Sequence, residues 1–292
     1  MISLRPRTLA LSLCLSLPLL SACGGVAVPA SPEGSAKASS PAETEAKIKT
    51  ALVGPQRTAK ETARDAYRHP LETLTFFGLR DDMTVVELNP GEGWYTAVLA
   101  PTLHEHGKLF VTNGDPDGDP KSERTQNARA LLARFTAFPA AFDKVTAIVT
   151  RPKEEVVLGA PESADMVVTF RNLHNWLGNG NVEPMLASMF KVLKHGGVLG
   201  VTDHRARPDA GTDAKTIGDT GYVPEAYAMK VIEAAGFKLA GKSEINANPK
   251  DTKDYAKGVW TLPPSYELGD VDHAKYEAIG ESDRMTLRFV KP

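Results

Sequence analysis

Three groups of residues in this sequence have the types and spacing to do chemistry. Glu87-Leu88-Asn89-Pro90-Gly91-Glu92-Gly93 sets an acid and two glycines at the end of a β-rich run. Glycine there lets the backbone approach a ligand closely, and the helix that follows offers free N–H groups. A tight strand-to-helix turn needs glycine too, so the turn alone has two readings. His174 follows a second β-rich run, Asp165 to Phe170, and Asp203-His204 follows a third, Val198 to Thr202. An imidazole titrates near neutrality and can act as a general base, with Asp203 and His204 facing the same cleft. The structural alternatives are a loop histidine held by a carbonyl and an aspartate bracing its own loop. Arg64, Asp65, Tyr67, Arg68 and His69 form the third group, read either as a solvated helix face or as a lid over a ligand.

Other chemistries find less support. His174, Asp203 and His204 have a metal-ligand composition, and His104-x-His106 adds a pair. No His-Glu-x-x-His spacing is present, and His104 and His106 fall at the far end of a helix, so no metal is expected. No Gly-x-Ser-x-Gly elbow exists for serine hydrolysis. With 34 basic and 36 acidic side chains, the formal charge of −2 gives no basic surface for nucleic acid. Only Cys14 and Cys23 occur, too few for a disulfide framework or a thiolate zinc site in the body.

The elements that must position these groups alternate. Pro70 opens a helix through Leu71, Leu74 and Phe77 that Gly78 stops. Strands are expected at Thr84–Leu88, Lys108–Thr112, Lys144–Val149, Asp165–Phe170 and Val198–Thr202, with helices at Trp94–Leu103, Ala128–Phe135 and Pro184–Leu193 between them. Helix Pro224–Ala235 precedes two late strands, Phe237–Ile245 and Met285–Val290. The fold class is α/β, a mostly parallel sheet with helices on both faces and an antiparallel addition at the end. Ligands of such sheets bind outside the carboxyl ends of the strands, where the three groups lie. Two long excursions, Arg205 to Tyr222 and Asn246 to Asp283, build the substrate side; the second carries Tyr255, Trp260, Tyr266 and Tyr276.

From about Leu71 to Pro292 the chain resembles the class I S-adenosylmethionine-dependent methyltransferases. Glu87 matches the acid of their first motif, Gly91 and Gly93 its last two glycines, and Asn89 replaces its first. Asp165 to Trp176 is similar to their fourth strand and the loop after it, and Leu193-Lys194-His195-Gly196-Gly197 to the turn into their fifth. Arg-His-Pro near residue 68, Gly-Trp-Tyr-Thr at Gly93 and Asp-His-Arg at Asp203 look like a subgroup of signal-peptide-bearing predicted methyltransferases. The resemblance implies a Rossmann-like fold of seven strands, the last antiparallel. It implies S-adenosylmethionine as cofactor, held by Glu87, Asn89, Gly91, Gly93, Asn113 and Asn172. Asn113 stands where the family has a ribose-binding acid, with Asp115 two residues on, and Thr150-Arg151-Pro152 stands where it has an adenine-side acid. An amide pairs with a hydroxyl more weakly than a carboxylate does. The implied reaction is methyl transfer to a small or medium acceptor, with His174, Asp203 and His204 as catalytic residues. A non-catalytic ligand-binding protein that keeps the fold is the alternative.

The first 55 residues read as address and tether. Arg5 and Arg7 precede an apolar run, Thr8 to Leu20, too short to span a bilayer and suited to a signal peptide. Leu20-Ser21-Ala22-Cys23 resembles the lipobox of bacterial lipoproteins, which implies cleavage before Cys23, lipid on Cys23 and a membrane partner through that lipid. A plain secretory signal cut near Ala22 is the alternative. Gly24, where the inner-membrane retention signal has Asp, points by the same resemblance to the outer membrane, facing the periplasm. Gly24 to Ala42 is almost entirely Gly, Ala, Ser, Val and Pro. The expected organisation is therefore a signal peptide over 1–22, lipidated Cys23 with a flexible linker over 23–55, and the methyltransferase-like domain over 56–292.

Overall fold

Val85, Val86, Glu87 and Leu88 are all buried, the mark of a strand covered on both faces. They belong to β1 (Thr84–Leu88), an interior strand of a sheet in a computed structural model that describes residues 40–151 and 154–292. The signal peptide, Cys23 and nearly all of the Gly24–Ala42 tether lie outside the described residues.

Four helices precede β1: α1 (Pro41–Leu52), α2 (Ala59–Thr62), α3 (Asp65–Arg68) and α4 (Pro70–Phe77). Then come α5 (Thr96–Leu103), β2 (Lys108–Asn113), α6 (Glu123–Ala137), α7 (Pro139–Phe142) and β3 (Val145–Val149). The second half holds β4 (Ala164–Phe170), α8 (Leu173–Gly178), α9 (Val182–Val192), β5 (Leu193–His204), α10 (Ala214–Thr220) and α11 (Glu225–Ala234). It closes with β6 (Lys238–Ser243), a 3-10 turn Gly258–Thr261, α12 (His273–Ile279) and β7 (Arg284–Val290).

The strand order is β3-β2-β1-β4-β5-β7-β6. β1 pairs in parallel with β2 and β4, and β4 with β5. β7 runs antiparallel to both β5 and β6. This is the seven-stranded, mostly parallel sheet that the resemblance implies. The chain leaves β1 and β4, which are neighbours, in opposite lateral directions, so the crevice between their carboxyl ends is the switch point of the sheet.

Alternation along the strands divides the core. Val86, Leu88 and Val167 pack with Leu186 and Met189 of α9 and Ile232 of α11. Val85, Met166 and Val168 pack with Leu74 and Phe77 of α4, Leu99 of α5 and Leu131 of α6. Each fully buried Leu or Phe here contributes about 1.5–3 kcal/mol. Gly200 of β5 admits Phe77: a Cβ there would sit 2.6 Å from the ring.

Several boundaries differ from the sequence reading, among them the start of α6, at Glu123 and not Ala128. Residues 41–52, expected within the linker, form a helix. Ser40 and Glu43 close a capping box at its start, Pro41 opens it, and Ile48 and Ala51 are buried where α1 packs on α5. β5 begins five residues before Val198, because Gly196 N–H donates to Lys291 O (2.8 Å) and Lys291 N–H to Gly197 O (2.9 Å), which extends the ladder through the glycine pair.

Candidate functional site

The turn after β1 is built for close approach. Asn89 is left-handed (φ 46°), a conformation that Asn tolerates better than most residues, and so it serves where the family motif has glycine. Its N–H donates to Thr112 Oγ1 (2.8 Å), and that hydroxyl donates to Asn89 Oδ1 (3.2 Å), which fastens the turn to β2. Gly91 (φ 59°) has nothing within 4 Å of where a Cβ would stand and opens on the cleft. Gly93 (φ 82°) does not: its Cβ would meet Leu131 Cδ1 at 2.7 Å, so this glycine admits α6 instead of a ligand.

Three adjoining cavities meet at Asn89 along the carboxyl edge of the sheet. The inner one, 160 Å³, is walled by Arg68, Glu87, Tyr95 and Arg171. The middle one, 480 Å³, is lined by Gly91, Asn113, Asn127, Asn172 and Asn175. The outer one, 400 Å³, presents Val156, Trp176 and Met185. Together they form a groove with Glu87 and two arginines at one end, amides in the middle, and Val156, Trp176 and Met185 beside Arg124, Arg151, Glu154 and Glu155 at the other, on the scale of a small-molecule site.

Glu87 is buried at the inner end, where Thr96 Oγ1 donates to its Oε2 at 2.6 Å. Burial pushes its carboxyl up to about 7, with the Thr96 hydrogen bond opposing. Asn172 is a brace: its Nδ2 donates to Leu88 O (3.0 Å) and Thr169 Oγ1 (3.1 Å), tying the ends of β1 and β4 while the residue lines the groove. Asn113 departs from the role read from sequence. Its Nδ2 donates to Ala128 O (3.2 Å) and its Oδ1 accepts from Gly114 N–H (2.9 Å), so its amide is turned onto α6.

His174, Asp203 and His204 come together although 29 residues separate the first two. Asp203 is fully buried and accepts three N–H bonds, from His174 Nδ1 (2.9 Å), His174 N (3.2 Å) and His204 N (2.7 Å). His204 Nδ1 meets Ser282 Oγ at 2.5 Å, and burial, with His174 and Arg171 beside it, holds the His204 imidazole well below its ordinary pKa. The expectation that the three face the cleft is corrected: none of them lines the groove, and Trp260, from the second excursion, stands edge-on to His174 with ring centroids 6.0 Å apart. One ligand atom from each of the three lies within 4.8 Å of the others. The Asp203 oxygens are already spent on N–H donors, and the surrounding arginines oppose a cation. His104, as expected, lies away from this region, paired with Asp143 at 2.7 Å.

The sequence did not show an arginine cluster beside these histidines. Glu281 binds Arg64 (2.6 Å), Arg68 (2.9 Å) and Arg284 (2.9 Å), and these cations with Arg171 hold its carboxyl far below the usual range against the cost of burial. Arg68 is only 2% exposed and stacks over Trp94 at 4.7 Å, so within the polar segment at 64–69 this arginine packs inward while Tyr67, 41% exposed, faces solvent. Arg171 is left-handed (φ 62°), and among the described residues its guanidinium makes no hydrogen bond or ion pair. No local pattern announces the cluster, since Arg68 and Glu281 are 213 residues apart.

No family model matches the chain, and no curated protein matches it in sequence. Among solved structures it is similar to a SAM dependent methyltransferase from Aquifex aeolicus, with a TM-score of 0.52 at 16% identity over 85% of this chain and 98% of that one. It is similar also to the [4+2]-cyclase SpnF, with a TM-score of 0.54 at 14% identity over 86% and 93%. The chain has the class I methyltransferase fold. At such identities the fold is what is shared, and in this methyltransferase fold the chemistry must be argued from the groove itself.

Proposed function

We propose that this protein binds S-adenosylmethionine in the groove over Gly91 and transfers its methyl group to a small or medium acceptor. The observation that carries the reading is the groove at the β1–β4 switch point, open over Gly91 and running from Glu87 and Arg68 to Trp176 and Met185. An amino-acid tail suits the first end and a purine the second. The open, left-handed Gly91 and the buried Arg68 Nη2, which has no hydrogen-bond partner among the described residues, are features such a ligand would use. Glu87 and Arg68 would hold the tail, the Gly91 backbone and Asn172 the middle, and Trp176 the base.

When bound, the cofactor supplies an electrophilic methyl that a nucleophile takes by direct displacement, the carbon–sulfur electron pair leaving on sulfur. The protein's part is alignment, exclusion of water and removal of a proton. A carboxylate only accepts, so Asp203 fixes the His174 proton on Nδ1 and leaves Nε2, which has no hydrogen bond among the described residues, as the base for an acceptor that reaches it past Trp260, since His174 itself lines none of the three cavities.

Cys23, in this reading, anchors the domain by a lipid to the periplasmic face of the outer membrane. Cys23→Ser is expected to release the protein from the membrane fraction; continued sedimentation with the envelope would count against the anchor.

One observation favours the second reading, a ligand-binding protein without turnover: the Asn113 amide is committed to α6 and is not free for a ribose. Tryptophan fluorescence tests the assignment of the groove. S-adenosylhomocysteine should change the emission of the full-length chain, and Trp176→Phe should lose most of that change. A signal that survives in Trp176→Phe would move the ligand elsewhere.

A further inference from the structure

Arg171 stands between two spaces. It closes the 160 Å³ inner end of the groove and also lines a separate 760 Å³ cavity with Arg64, Gly91, Trp94 and Pro264. Arg68 reaches only the first of these and Arg64 only the second. A left-handed arginine is strained backbone, and here its N–H is tied to Thr202 O at 2.7 Å while its guanidinium pairs with nothing among the described residues. Beside it, Arg64 Nη2 and Arg68 Nη2 are buried without hydrogen-bond partners.

The charges facing Arg171 do not cancel. Arg64, Arg68 and Arg284 surround it beside the carboxylates Glu281 and Asp203, and Glu87 shares its inner cavity. Burial holds the His204 imidazole well below its ordinary pKa, and the larger cavity sets Lys60, Arg64, Arg134 and Arg171 against Glu92 and Glu61, the latter paired with Arg134 at 2.7 Å. S-adenosylmethionine carries two positive groups and one carboxylate, so binding it deepens the excess. A cationic acceptor would be repelled, and an anionic one drawn in.

We propose that the acceptor carries an oxyanion, a carboxylate or a phosphate, which docks on the free fork of Arg171 in the larger cavity with Arg64 beside it. The inference rests on the methyl-transfer reading for the word acceptor, though not for the site. A guanidinium accommodates either oxyanion through two parallel hydrogen bonds.

The test is calorimetric titration of the full-length chain, saturated with S-adenosylhomocysteine, with inorganic phosphate and separately with succinate. Saturable binding of at least one probe is expected, weakened tenfold or more in Arg171→Gln and partly restored in Arg171→Lys, while affinity for S-adenosylhomocysteine changes less than threefold. The tighter probe identifies the oxyanion. Arg171 loses no internal hydrogen bond in these variants, so folding should be kept, and circular dichroism checks it. Absence of saturable binding by both probes overturns the proposal. So does a larger loss for S-adenosylhomocysteine than for the probe, which would give Arg171 to the cofactor's own carboxylate. Probe binding that depends on Arg171 in a chain that ignores S-adenosylhomocysteine would uphold the oxyanion site and remove the methyl-transfer reading.

Discussion

His174 Nδ1 lies 2.9 Å from Asp203 Oδ1, and the His174 backbone N–H reaches the other oxygen of the same carboxylate at 3.2 Å. One buried side chain at the end of β5 thereby sets the backbone and the ring of a residue at the start of α8. It joins the carboxyl ends of two neighbouring strands and orients the imidazole in one act. The pair is both a structural clasp and the arrangement a general base needs.

The two roles separate by mutation. His174→Ala is expected to lower turnover at least 100-fold while changing affinity for S-adenosylhomocysteine less than threefold. Asp203→Asn should cost turnover too, and in addition about 2–3 kcal/mol of stability, because an amide offers one acceptor oxygen where three N–H groups share two. Full activity in His174→Ala would leave the clasp and remove the base.

Glu87 gives a pH dependence with a defined sign. Its carboxyl moves from 4.5 to about 7 on burial, so the folded state holds the proton more tightly than the unfolded chain does. The stability it contributes is complete below pH 4.5 and declines as pH rises to about 7, at no more than about 1.4 kcal/mol per pH unit. Glu87→Gln keeps an acceptor for Thr96 and carries no charge. Urea denaturation should show the variant gaining on the wild type between about pH 5 and pH 8. A pH-independent difference would mean that Glu87 is ionised throughout.

Glu281 has the opposite sign. Its carboxyl is depressed in the folded state, so its contribution is present above its unfolded value near 4.5 and is lost as pH falls. Glu281→Gln leaves Arg64, Arg68 and Arg284 without their shared partner and should cost about 3–5 kcal/mol at neutral pH. A loss under about 1 kcal/mol would mean that solvent already screens the cluster.

The reach of the sequence was set by how local each signal is. β1 was legible because a β-branched run ends in Asn89-Pro90-Gly91, and α4 because Pro70 and Gly78 bracket it. His174 and Asp203 were legible as neighbours, since both follow adjacent strands of a parallel sheet. Their enclosure was not, because Trp260 and Ser282 come from a long connection without periodicity. The Arg68–Glu281 pairing spans nearly the whole domain and leaves no local trace. Helix α1 was hidden by its Ala, Glu and Lys content, which resembles a tether until Ile48 is seen to be buried.

That last difference has a consequence for stability. Ile48 is 1% exposed against α5, so Ile48→Ala is expected to cost about 2–5 kcal/mol, read by urea or thermal unfolding. A change below about 0.5 kcal/mol would return α1 to the linker.

The most direct test of the account is calorimetric titration of the full-length chain with S-adenosylhomocysteine, beside its Gly91→Val variant. The account predicts micromolar binding to the wild type and at least a hundredfold loss in Gly91→Val, whose unfolding transition should remain cooperative. A folded wild type that does not bind, or a Gly91→Val variant that binds equally well, would contradict it.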